Sequence, residues 1–122
     1  MKRSDFDALV QKALQKIPQQ FLDATRHIPI LVEDWPDPAL MEEITGNPHA
    51  VVYGLFSGKP LPLRTAEDWG DPPAVIYLFR GPLEQDFRKP GALEREIEIT
   101  LAHEIAHYMG FDEEVLREYG YG

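Results

Sequence analysis

The hydrophobic pattern of the chain changes period several times. Phe6, Leu9, Val10, Ala13, Leu14 and Ile17 recur at spacings of three and four, which predicts an amphipathic helix over 4–17, with Ser4 as N-cap and Pro18 as stop. Three later runs are rich in β-branched and aromatic residues and bounded by Gly and Pro: "HIPILVED" (27–34), "AVVYGLFSG" (50–58) and "PAVIYLFRG" (73–81). They predict short strands. Between the first two, the Asp- and Pro-rich stretch after Asp34 opens a short helix that ends near Gly46. Between the last two, "KPLPLRTAEDWGDPP" reads as a loop, and long loops in compact domains tend to be functional or mobile. A helical turn is expected over 82–89, then a strong helix from Ala92 to Met109 ended by Gly110, then a short helix over 112–119. This order predicts an α+β domain with a small mixed sheet packed on the long helix.

The second half of that long helix carries the chemistry. Glu96, Thr100, His103 and His107 form one polar stripe, with Glu104 beside it. Leu101, Ala102, Ile105, Ala106, Tyr108 and Met109 make most of the remaining circumference apolar. A helix of this kind is buried, so its stripe must face a cleft or a satisfied internal network. Histidines four apart can aim their Nε2 atoms at a common zinc ion, and the Glu after the first can take the proton of an attacking water. His103 and His107 are thus candidate metal ligands and Glu104 a candidate general base. Two imidazoles alone make a weak site.

Composition narrows the setting. The 122 residues suit one domain, 1–122, with a single core. No apolar run approaches the length of a membrane span, and no apolar stretch after Met1 reads as a secretory signal, so a cytoplasmic location without a membrane partner is expected. A net charge of −9 makes nucleic acid an unfavourable partner. The absence of cysteine removes disulfides, thiolate metal sites and cysteine nucleophiles, leaving His, Asp and Glu to hold any metal.

The stretch "HEIAHYMGFDE", with "ILVEDWPDP", "YGLFSGKPLPLR" and "VIYLFRGPL" before it, resembles the zincin-like metallopeptidase family of small bacterial proteins. The resemblance covers most of the chain and implies a minimal zincin fold, a Zn2+ cofactor and hydrolysis of a peptide or protein substrate. It maps the two ligating histidines onto His103 and His107, the base onto Glu104, and the turning glycine onto Gly110. It places a third ligand at Glu113, with Asp112 as the alternative; Asp112 also suits an N-cap of the last helix. Few residues follow the motif to build a wall beneath a metal. Of two candidate exposed sheet edges, 50–58 and 73–81, the second is favoured as nearer the motif helix in sequence, and a protein partner or homodimer is expected to close the cleft by contacting 73–81 and the loop before it. A noncatalytic zincin-like scaffold that binds a protein is the competing reading. His27 and His49 are expected to be ordinary surface or core histidines, Tyr53, Tyr77, Tyr119 and Tyr121 to pack in the core, and Trp35 and Trp69 to pack within loops.

Overall fold

The computed structural model describes residues 1–60 and 73–121. Its elements, in chain order, are α1 (Arg3–Leu14), α2 (Gln19–Ala24), β1 (Ile30–Glu33), α3 (Pro38–Thr45), β2 (Gly54–Ser57), β3 (Val75–Phe79), α4 (Arg80–Asp86), α5 (Pro90–Met109) and α6 (Glu113–Glu118). The α+β class is as the pattern predicts. Helix α1 starts one residue before Ser4, so Ser4 lies in its first turn and Lys2 is the capping position. Pro18 stops α1 but also opens α2, a six-residue helix that the sequence reading omitted.

Helix α5 is the hub, touching α1, α2, α4, β2 and β3. Leu93, Ile97, Leu101, Ile105 and Tyr108 recur at helical spacing along its inner face, each at most 2% exposed. They meet Phe6, Val10 and Ala13 of α1, Phe21 of α2, and Ile76 and Leu78 of β3 in one core. Alternation along β3 sends Tyr77 and Phe79 to the other face, where their rings stack with centroids 6.0 Å apart. Among the described residues, every buried side-chain nitrogen and oxygen has a hydrogen-bond partner.

The sheet has the order β1-β3-β2. Strand β1 pairs parallel with β3 from Ile30↔Ile76 to Glu33↔Phe79, and β2 pairs antiparallel from Gly54↔Leu78 to Ser57↔Val75. The expectation that 73–81 forms an exposed edge is therefore wrong: β3 is central, and β1 and β2 are the outer strands of the described sheet. The reason is legible in hindsight, because "AVIYLF" is apolar on both faces, as a strand covered on both sides must be. The loop between β2 and β3 lies largely outside the described residues, and Trp69 with it.

Candidate metal and catalytic site

Helix α5 ends where the sequence places its stop. Gly110 adopts φ 77°, a left-handed conformation that a side chain resists, and its N–H closes back on the last turn. The reversal carries the chain into α6, whose N-cap is Asp112: its carboxylate accepts the Val115 N–H at 3.1 Å. Glu113, the first residue of α6, is exposed.

Glu104 sits where α5 meets the sheet. The contact depends on Gly54, where an added Cβ would stand 2.5 Å from Thr100 Cγ2 and 3.0 Å from the Tyr77 carbonyl oxygen. With no side chain in the way, β2 settles against α5, and the Phe56 N–H donates to Glu104 Oε1 at 2.8 Å. The same oxygen lies 3.4 Å from Nδ1 of His107. Both of these contacts fall on Oε1. The hydrogen bond to Glu104 and then its charge, joined by that of Glu113, raise the His107 pKa above the usual imidazole value, against the lowering effect of burial.

The two histidines are held differently. Nδ1 of His107 stands within ion-pair distance of Glu104 on the same face of α5, and the His107 imidazole is half exposed. The Nε2 of His103 lies 2.6 Å from the backbone carbonyl oxygen of Tyr121, an acceptor, so Nε2 carries the hydrogen and the lone pair is on Nδ1. Tyr53, Gly54, Glu96, Ile99, Thr100, His103 and Glu104 line a cleft of about 230 Å³ at this place. Two roomier hollows, of about 480 Å³ between α1 and β1 and about 570 Å³ beside Tyr53 and Pro82, are lined by no histidine.

Tested against zinc, the donor types fit: two imidazoles one turn apart and an acid beyond a helix-ending glycine. The donors are not gathered. Among the described residues no three His, Cys, Asp or Glu side chains converge on one point. What separates them is visible, since His103 is turned to Tyr121 and Asp112 is spent on its cap.

The family model for zincin-like metallopeptidases matches residues 25–121, which is most of the chain and includes every residue of this site. The chain belongs to the zincin-like metallopeptidase family. No curated protein matches it. Among the described residues of this zincin-like protein, no helix is long and apolar enough to cross a membrane.

The remaining sequence candidates lie away from the cleft or play structural parts. His27 meets Tyr108 edge-on, with ring centroids 6.3 Å apart, and the His49 N–H donates to Asn47 Oδ1. Trp35 is 54% exposed, its indole standing over Gly81. Tyr119 accepts a hydrogen bond from Gln20, whereas Tyr121 is 5% exposed. Sequence reasoning missed the Phe56 N–H and the Tyr121 carbonyl. Both are backbone groups, whose hydrogen-bonding capacity is the same at every non-proline residue and so leaves no mark in the sequence.

Proposed function

We propose that this zincin-like protein is a zinc-dependent peptidase in which His103, His107 and Glu113 hold the metal and Glu104 is the general base. The observation that carries this reading is the seat of Glu104, whose carboxylate is fixed by the Phe56 N–H beside the cleft and next to His107. Zinc, when bound, supplies a Lewis acid that polarises a carbonyl and makes water a nucleophile at neutral pH. Glu104 takes the proton of the attacking water and returns it to the departing amine. Peptide is the substrate class because of the adjoining edge. Tyr53, just before β2, and residues 55 and 57 of the strand bond toward β3, so Gly54 and Phe56 turn their amides outward. Glu104 takes the Phe56 donor, and an extended chain added along β2 would lie directly against the base.

The competing reading is a noncatalytic scaffold that binds a protein, and the engagement of His103 by Tyr121 favours it. Metal analysis and peptide turnover separate the two. The parent should bind about one zinc per chain. Glu104→Gln should keep that zinc while losing turnover of unstructured peptides by a factor of at least about 100. Zinc retained after His103→Ala would remove the proposed site. A zinc-loaded parent that cleaves nothing in a broad peptide library would favour the scaffold.

A further inference from the structure

The segment that holds His103 is anchored far more firmly than a fraying helix end. Gly120, at φ +85°, turns the chain after α6, and the Tyr121 N–H donates to the Leu116 carbonyl at 2.9 Å. The Tyr121 ring is buried against α5, and its hydroxyl donates to Glu98 Oε2 at 2.7 Å. Glu98 is itself 5% exposed, and the same oxygen accepts from Arg95 Nη1 at 2.9 Å. Arg95 ties the segment a second time through the Gly120 carbonyl at 3.3 Å, and its guanidinium lies 5.6 Å from the centre of the Tyr121 ring. A buried acid on the helix is thus committed to placing one tyrosine, and that tyrosine's carbonyl lands on Nε2 of His103.

The consequence is chemical. A carbonyl on Nε2 requires a hydrogen there, and a protonated nitrogen has no lone pair for a metal. Among the described residues no such carbonyl meets His107, one turn on, whose Nδ1 faces Glu104 at 3.4 Å. Of the pair, His103 is the one whose Nε2 is held by residues 120–121. We propose that this segment is an internal latch on the metal site: zinc enters through His103 Nε2 only when the Tyr121 carbonyl withdraws and the imidazole proton moves to Nδ1. The Tyr121–Glu98–Arg95 network sets how often that happens. The inference rests on the zinc reading above and adds to it a control over loading.

Two measurements on the full chain test the latch, with Zn2+ itself as probe. Nitrogen-15 NMR of the metal-free protein at pH 8 should find His103 as the Nε2–H tautomer, converting to Nδ1–H as zinc is added. Stopped-flow uptake, followed by competition with a fluorescent chelator, should give a rate that levels off as zinc is raised, because opening becomes limiting. Tyr121→Phe, which keeps the ring and removes the bond to Glu98, should raise that plateau about tenfold. Arg95→Gln, altered at a partly exposed position, should do so more weakly and serves if the first variant folds poorly. Uptake linear in zinc throughout and unchanged in the variants, or zinc bound through Nδ1 with the Tyr121 contact kept, would overturn the latch and leave the zinc site standing. Absence of uptake in the parent and in both variants would remove the zinc reading and the latch together. Zinc taken up only by the variants would support the latch in its strongest form.

Discussion

Asp112 and Glu113 are adjacent acids whose surroundings set them different tasks. The Asp112 carboxylate accepts the Val115 N–H and so satisfies one of the free donors at the start of α6. Asp112→Ala should lower unfolding stability by about 0.5–2 kcal/mol and spare zinc affinity, read from denaturant midpoints and metal titration. Glu113 is exposed, and its charge reaches His107. Glu113→Ala should leave the metal-free protein about as stable while weakening zinc binding by orders of magnitude; the opposite pattern would exchange the two roles. At this scale the sequence was readable where position follows from helical spacing, as for His103, Glu104 and His107, which all fall on α5. The N-cap at Asp112 was readable for the same reason, because a short acid after a helix-ending glycine has a local partner three residues on. The Tyr121 carbonyl meets His103 across 18 residues, and that meeting depends on the turn at Gly120 and the burial of a ring. Neither leaves a local pattern.

Between elements, the seat of Glu104 depends on how closely β2 approaches α5, and Gly54 sets that distance. A methyl group there would overlap Thr100 Cγ2 and press on the Tyr77 carbonyl, which is sheet backbone and cannot step aside. Gly54→Ala should cost about 1–3 kcal/mol of stability by forcing β2 outward. It should also lengthen the Phe56–Glu104 hydrogen bond, which the exchange rate of the Phe56 amide would report. An unchanged amide would show that the strand tolerates the side chain. One residue earlier, the Tyr53 hydroxyl donates to Asp86 Oδ2 at 2.5 Å and ties β2 to the end of α4. That bond, with smaller contributions from burial and the Asp86 charge, raises the Tyr53 pKa from 10.0 to about 12. The folded state then keeps a proton that the unfolded chain releases, so the contribution is complete below pH 10 and is lost as pH climbs to 12. Midpoints of urea unfolding should fall across this window in the parent, and more gently in Tyr53→Phe. Solvent exposure of the pair keeps the effect small. The long helix was legible because its apolar period persists over many turns. Helix α2 was not, since its six residues bury only Phe21 and give no period to read.

For the whole molecule, the placement of β3 decides where a bound chain can lie. Strand β3 is paired on both sides, parallel to β1 and antiparallel to β2, so its amides should be the slowest of the sheet to exchange. Sequence composition marked all three strands, but strand order follows from how the chain crosses over α3 and the loop after β2, which composition does not encode. Of the two outer strands, β1 lies away from the cleft, and Arg3 of α1 reaches over to its Val32 carbonyl at 2.9 Å. Strand β2 lies against Glu104. An extended peptide, or a partner protein presenting one, should therefore add to β2. Hydrogen exchange of zinc-loaded Glu104→Gln, expected to bind without cleaving, should show new protection over residues 54–57 when a peptide is present. Residues 75–79 should stay as they were, because their amides are already paired within the sheet. Protection gained at residues 30–33 instead would move the docking edge to the opposite side of the sheet and separate substrate binding from the base.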